Sequence, residues 1–196
     1  MSGRRILLVQ GHPDASQPHL LHDLAQSYAN AALAAGHTLH ALDLGRLEVP
    51  LLRSPRAWED EPVPAALADA QAALQWCQHL MLVYPLWLGD MPAVLKAFLE
   101  QVMRPGVAFT RATPGSPARK GLAGRSARVV VGMGMPAMVY RWFYGAHSLR
   151  SLERNILGFV GFSPVRHTLV GGAGGLQPAA VAAWERRLAR LGSQAA

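Results

Sequence analysis

Three short stretches of this chain carry residues that could hold a flat ligand with a phosphate tail, and each follows an apolar run. They are GHPDASQPHLL from Gly11, YPLWLGDMPAVLK from Tyr84 and VVVGMGMPAMVY from Val129. Hydroxyl, imidazole and amide groups suit a phosphate, whereas an aromatic side chain suits a planar ring. The chemistry to consider is therefore the binding of a ligand with both parts.

In the first stretch, His12, Ser16 and Gln17 lie just ahead of a helix that begins near His19. Backbone N–H groups at a helix start attract anions, so this loop could bind a phosphate or a pyrophosphate. An ordinary polar loop with a Ser/Gln cap is the alternative, and spacing leaves both open. The nucleotide-binding pattern G-x-x-x-x-G-K is absent from the whole sequence.

In the second stretch, a buried strand ends at Pro85, Leu86 and Trp87. An aromatic side chain at a strand end can flank a planar ring, while backbone N–H groups can reach polar atoms on its rim. The alternative is that Trp87 packs on a neighbouring helix.

In the third stretch, Gly132, Gly134 and Ala137 match G-x-G-x-x-A, the dinucleotide fingerprint. The match follows a late strand, Pro136 interrupts its turn, and the next acidic residue, Glu153, falls in a predicted helix. We therefore interpret these glycines as a loop whose backbone can approach a ligand closely.

The composition indicates one globular domain spanning residues 1–196, with 51% hydrophobic residues and 16% charged residues. The net charge of +7 comes from scattered arginines without a basic run or a zinc motif, so a nucleic-acid partner is not predicted. The single cysteine, Cys77, is predicted to be a buried apolar residue, and no metal site is expected. No signal peptide or membrane span is recognisable, and the expected location is the cytoplasm.

Apolar runs and helical periodicity alternate along the chain and predict five strands and five helices. The predicted strands are residues 4–10, 38–44, 79–86, 125–133 and 164–170. The predicted helices are residues 19–35, 65–77, 91–103, 146–157 and 178–191, with Asp90 as the cap of the third. Residues 45–64 and 104–124 are expected to be irregular. This order predicts an α/β doubly wound parallel sheet with helices on both faces and a ligand at the carboxyl ends of its strands.

Several motifs together resemble the NAD(P)H quinone reductase family of flavodoxin-like flavoproteins, which includes DT-diaphorase, modulators of drug activity and ancillary subunits of potassium efflux systems. They are GHP after the first strand, YPLW followed by MPAVLKAFLEQV, the PGVAF turn, KGLAGR and GFSPV, and the resemblance covers about residues 6–170. It implies a five-stranded sheet of order 2-1-3-4-5.

The resemblance also implies a tightly bound flavin, FMN or FAD, that NAD(P)H reduces and a quinone reoxidises in a ping-pong cycle. By similarity, His12, Ser16 and Gln17 would face the flavin phosphate or pyrophosphate. Gly132 and Gly134 would close the far rim of its ring. The isoalloxazine would be framed by a run of four residues: Pro85, Leu86, Trp87 and Leu88.

Two further residues, Tyr140 and His147, match the family's positions beside the flavin, where they would stabilise charge and donate a proton to the quinone. The family implies a homodimer, to which residues 104–120 or the helix with Val94, Leu95 and Phe98 could contribute, although sheet packing also explains that helix. The alternative function is a flavin-bound regulatory module of a membrane transporter of the potassium-efflux type.

Overall fold

The computed structural model describes residues 3–113 and 116–196, and its centre is a five-stranded parallel sheet. The strands in chain order are β1 (Arg5–Gln10), β2 (Thr38–Asp43), β3 (His79–Pro85), β4 (Phe109–Thr110), β5 (Arg119–Lys120), β6 (Ser126–Gly132) and β7 (Val165–Val170). The sheet order is β2-β1-β3-β6-β7, while β4 and β5 form a separate antiparallel ribbon. The predicted order 2-1-3-4-5 is therefore confirmed.

Helices cover both faces of the sheet. They are α1 (Leu20–Ala34), α2 (Pro55–Glu59), α3 (Ala68–Trp76), α4 (Ala93–Val102), α5 (His147–Ser151), α6 (Gly158–Val160) and α7 (Pro178–Ser193). Helices α1 and α7 pack in the core on one face, and α3, α4 and α5 pack in the core on the other. None of the helices in the described residues is both long and apolar enough to cross a bilayer.

Strand β3 lies at the middle of the sheet and is buried over its whole length. Because side chains alternate along a strand, Leu80 and Leu82 enter one core while Met81 and Val83 enter the other. This is why its sequence is continuously apolar, as expected for a parallel strand that is covered on both faces.

The main differences from the predicted elements lie at helix starts and in the irregular segments. Helix α4 begins at Ala93, and the Asp90 carboxylate accepts a hydrogen bond from Met91 N at 2.7 Å, so the prediction of Asp90 as its cap was wrong. Segment 45–64 contains α2, whose first turn is capped by Ser54 at 3.1 Å from Ala57 N. Segment 104–124 contains the β4-β5 ribbon, and its residues 114 and 115 lie outside the described residues.

Helices α1 and α7 approach each other closely because of Gly192. A Cβ atom placed there would lie 2.2 Å from the carbonyl oxygen of Tyr28, which is far inside van der Waals contact. The side chain of Tyr28 is fully buried under the same helix pair. A residue without a side chain is therefore required at this crossing.

We expect Gly192→Ala to lower the free energy of unfolding by about 1–3 kcal/mol, because the clash with backbone outweighs the better helix propensity of alanine. Urea unfolding measures the difference. The control is Gly175→Ala, where an added Cβ meets nothing within 4 Å. A Gly192→Ala protein as stable as this control would contradict the close packing.

Candidate functional site

A cleft of about 410 Å³ opens at the carboxyl edge of the sheet. The loops that follow β1, β3, β6 and β7 form its walls, so it lies where ligands bind in open α/β sheets. Six residues predicted from the sequence line this cleft: His12, Pro85, Leu86, Trp87, Gly132 and Gly134. The tertiary structure thus brings together residues from three separate stretches.

The end of β3 supplies the aromatic wall of the cleft. Trp87 is 49% exposed, and its ring contacts the ring of His12 edge-on, with 5.8 Å between the ring centroids. The Trp87 side chain is therefore not buried against a neighbouring helix. Leu86 N donates to Gly132 O at 2.7 Å and Trp87 N donates to Asp90 O at 2.9 Å. These two amides are already bonded, so the stretch offers a ligand its aromatic face rather than those N–H groups.

Leu88 and Gly89 form the tip of a two-residue turn between Trp87 and Asp90, which exchange two backbone hydrogen bonds. Leu88 has φ of 48° and Gly89 has φ of 81°, as a type I′ turn requires. The Leu88 side chain is fully exposed and does not line the cleft. The structure therefore does not bring Leu88 into the site with the other predicted residues.

Three histidines cluster at the start of α1 beside the cleft. The His12 and His19 rings stack at 3.9 Å, and the His22 ring lies 5.3 Å from that of His12. Burial, followed by repulsion from His19 and His22, lowers the pKa of His12 below its ordinary value. Asp14 N donates to His12 Nδ1 at 3.1 Å, which leaves Nε2 as the protonated nitrogen of the neutral ring.

The carboxylate of Asp14 gathers most of the donors in the loop after β1. It accepts from Ser16 N at 2.8 Å, Ser16 Oγ at 2.5 Å, Gln17 Nε2 at 3.1 Å and His19 Nε2 at 2.9 Å. Hydrogen bonds from Ser16 and His19 hold the pKa of Asp14 well below its usual range. The loop that could bind a phosphate therefore already holds a negative charge, the Asp14 carboxylate.

Ser16 and Gln17 border a second cavity, of about 490 Å³, rather than the cleft. Asp43 and Arg46, which form an ion pair at 3.1 Å, lie on the far side of this cavity. The loop after β1 thus separates the two cavities, with His12 facing one and Ser16 facing the other.

Tyr140 and His147 follow β6 but do not line the cleft. Tyr140 is buried; its hydroxyl pairs with Ser148 Oγ at 2.8 Å and accepts from Leu149 N at 3.2 Å. It therefore anchors the start of α5, where His147 is exposed. The catalytic roles expected for both residues stay predictions.

Sequence reasoning missed several residues of this region. Asp14 and His19 were not assigned a role, although His19 stacks on His12 and lines the cleft. Ala173 and Gly174 also line it, from the loop that follows β7. The signal was present as GGAGG directly after the fifth predicted strand, at the same edge of the sheet.

An apolar patch adjoins the segment that carries Tyr140. Its exposed side chains are Met138, Val139, Trp142, Phe143 and Tyr144. Trp142 and Phe143 are 75% and 81% exposed.

Comparisons with known proteins agree with this architecture. The sequence model of the family described as "Flavodoxin-like fold" matches residues 4–193, and the chain belongs to that family. Similar solved structures include Smu.1420 from Streptococcus mutans, with 21% identity, a TM-score of 0.78 and coverage of 96% of this chain and 98% of that one. A search of curated protein sequences finds no match.

Two similar structures are of named reductases. The NAD(P)H:quinone oxidoreductase from Methanothermobacter marburgensis is 22% identical with a TM-score of 0.80, covering 98% of this chain and 97% of that chain. The FMN-dependent NADH-azoreductase from Bacillus anthracis, solved with FMN, is 17% identical with a TM-score of 0.75, covering 99% of each chain. At these identities the comparisons establish a shared fold.

We expect Leu88→Asn to raise the free energy of unfolding by about 0.5–1 kcal/mol, because asparagine tolerates positive φ better than leucine does. Thermal unfolding measures the change. Leu51→Asn is the matched control, since Leu51 is also exposed and has no positive φ. Equal effects of both substitutions would show that the turn conformation does not strain Leu88.

Proposed function

We propose that the protein is an NAD(P)H-dependent flavin oxidoreductase that reduces quinones or similar planar electrophiles by two electrons at a time. The observation that carries this proposal is the cleft at the carboxyl edge of a flavodoxin-like sheet, with half-exposed Trp87 on one wall and glycines on another. The similar structures of a quinone oxidoreductase and an FMN-dependent azoreductase support it.

The residues of the cleft fit a flavin, either FMN or FAD. A Cβ added at Gly134 would meet nothing within 4 Å, so there is open space where the ring edge would lie. Trp87 supplies an aromatic wall, His12 supplies an Nε2–H donor, and the volume of about 410 Å³ is in the usual range of small-molecule sites. When bound, a flavin would supply the hydride chemistry in a ping-pong cycle.

The chain's own residues would position the ligands and move the proton. We assign the exposed imidazole of His147, at the start of α5, to proton donation towards the quinone oxygen, because imidazole is the side chain that most often serves as a general acid. Tyr140 would act through its hydrogen bonds to Ser148 and Leu149, which hold that helix start in place.

The apolar patch supports a homodimer whose subunits meet beside the cleft. Exposed Trp142 and Phe143 give the kind of aromatic surface that is enriched at interfaces. Leu95 and Phe98 of α4 are buried in the core, so sheet packing accounts for them and they are not available to a partner.

The proposal predicts that the purified protein binds flavin, that NADPH or NADH bleaches the flavin absorption band, and that a quinone restores it. His147→Gln should slow the quinone half-reaction roughly a hundredfold, with the nicotinamide half-reaction nearly unchanged. Anaerobic stopped-flow absorbance measures each half-reaction. His40→Gln, on strand β2, is the control.

Other outcomes of these measurements would contradict the oxidoreductase, the bound flavin or the role of Tyr140. Flavin binding without reduction by either nicotinamide would overturn the oxidoreductase and favour the transporter-module alternative. Failure to bind flavin would overturn both. A Tyr140→Phe protein that is fully stable but cannot reduce quinone would show that the hydroxyl takes part directly in the reaction.

In the proposed complex the ring occupies the cleft and the flavin phosphate crosses the loop after β1 to Ser16 and Gln17, which border the neighbouring cavity. There the Asp14 carboxylate should compete with the phosphate for the donors of Ser16 and Gln17. We expect Asp14→Ala to raise the affinity for FMN by about tenfold, because it frees these donors and removes a negative charge. Riboflavin, which lacks the phosphate, should bind with unchanged affinity. Fluorescence titration of both flavins measures the difference.

Asp23→Ala on α1 serves as the control, because it removes the same charge from an exposed position. An equal gain for FMN and riboflavin, or weaker binding of FMN, would contradict a phosphate site at this loop.

A further inference from the structure

The donors that converge on the Asp14 carboxylate are not all of one kind. Ser16 N, Ser16 Oγ, Gln17 Nε2 and His19 Nε2 all lie within 3.1 Å of its oxygens. The amide and hydroxyl groups stay neutral at any ordinary pH, whereas an imidazole can gain a proton near neutrality. Of these four donors, His19 is therefore the one whose charge can respond to an anion.

The contact with Asp14 fixes which nitrogen of His19 carries the proton. The pKa of Asp14 lies well below its usual range, so its carboxylate is ionised and can only accept, which makes His19 Nε2 the donor. The Nδ1 atom of the neutral ring is then unprotonated. It makes no hydrogen bond within residues 3–113 and 116–196, so it is free to take up a proton.

The stacked partner of His19 is less able to accept this proton. His12 Nδ1 already accepts from Asp14 N at 3.1 Å, and protonation at that atom would break the bond. Burial, followed by repulsion from His19 and His22, also lowers the pKa of His12. Because two positively charged rings 3.9 Å apart would repel each other, the pair can hold one added proton, and His19 Nδ1 is its place.

His12 also presents an unpartnered donor to the cleft. Its side chain is only 7% exposed and lines the cleft, and its Nε2–H has no hydrogen-bond partner among the described residues. A buried donor without an acceptor is costly. Unlike the Nε2 atoms of His22 and His79, this nitrogen is not closed off from the surface, so a ligand in the cleft can accept from it.

The other charged groups near the histidine pair cannot balance an added anion. Asp23 on α1 and Asp90 at the end of β3 are negative. Among the described residues that line the two cavities, Arg46 is the only lysine or arginine, and Asp43 already pairs with it at 3.1 Å. The lining residues from the loops after β6 and β7 are uncharged. Protonation of His19 is the way left to supply positive charge beside a phosphate.

We propose that binding of the flavin phosphate is coupled to the uptake of one proton from water by His19 Nδ1. The phosphate takes the place of the Asp14 carboxylate, and the charged ring of His19 donates to it from Nε2, as it does to Asp14 in the free protein. No bond of the flavin changes, and the proton returns to water when the flavin leaves. This inference rests on the proposed flavin binding and adds to it a proton that the complex holds and the free protein does not.

The coupling sets the pH dependence of flavin affinity. Because the complex carries the extra proton, FMN should bind more tightly as the pH falls, and the gain should be lost as the pH rises. Between about pH 8.5 and about pH 6.5, where free phosphate is mainly the dianion, we expect an increase in FMN affinity of about tenfold. Riboflavin, which has no phosphate, should bind with nearly constant affinity.

The test combines three measurements. Fluorescence titration of FMN and of riboflavin over this pH range measures the two affinities. Calorimetry in two buffers with different heats of ionisation measures the proton uptake directly. Nitrogen nuclear magnetic resonance of the histidine rings identifies the atom that gains the proton, which should be His19 Nδ1.

The diagnostic variant is His19→Asn, which keeps an N–H donor but cannot be protonated. His19 is the cap residue of α1 and makes no side-chain cap hydrogen bond, and asparagine is favoured at such positions, so the variant should fold. We expect it to bind FMN without the pH dependence and without proton uptake. His40→Asn on β2 removes a histidine that lines neither cavity and should behave as the unsubstituted protein does.

The outcomes separate this inference from the proposed function. FMN affinity that does not change with pH, or a His19→Asn protein that keeps the full pH dependence, overturns the proton uptake and leaves the flavin oxidoreductase standing. The same pH dependence for riboflavin as for FMN also overturns it, because the proton would then not be linked to the phosphate. No binding of FMN at any pH overturns both.

Discussion

The parallel register of β3 between β1 and β6 is the constraint on which the rest of the structure depends. Gln10 lies beside Val83, and Pro85 lies beside Gly132, so the three strands end at nearly the same level. Their following loops must then open at one edge, where they form the cleft. Because β3 is buried on both faces, a shift of register would expose apolar side chains, and this holds the loops in place.

The two edges of the sheet differ in how their charged side chains are partnered. At the carboxyl edge, Asp14 supplies an internal carboxylate that satisfies Ser16, Gln17 and His19. At the amino edge, Arg4, Arg128 and Arg166 form no ion pair with a carboxylate within residues 3–113 and 116–196. Both edges hold a buried histidine with a lowered pKa. A ligand phosphate at the carboxyl edge would therefore have to displace the Asp14 carboxylate from these donors.

The segment between β6 and α5 connects the cleft to the apolar patch. Of its aromatic residues, only Tyr140 turns inward, where its hydroxyl anchors the next helix. Gly145 and Ala146 then adopt positive φ and reverse the chain. Trp142 and Phe143 stay outside the core on this face. In the homodimer that we propose, the second subunit would cover them.

The sequence by itself determined the order of strands and helices, since apolar runs and periodicity are local. It also located Pro85, Trp87 and Gly132 at the ligand edge, because a strand end can be recognised from the residues around it. Only the tertiary structure decided that Asp14 takes the donors of Ser16, that Tyr140 is buried, and that Arg4, Ser126 and His79 share one cavity. His79 and Ser126 are 47 residues apart in the sequence, and Arg4 and Ser126 are 122 apart. Contacts at that separation depend on how strands pair, and burial and hydrogen bonding follow from that pairing.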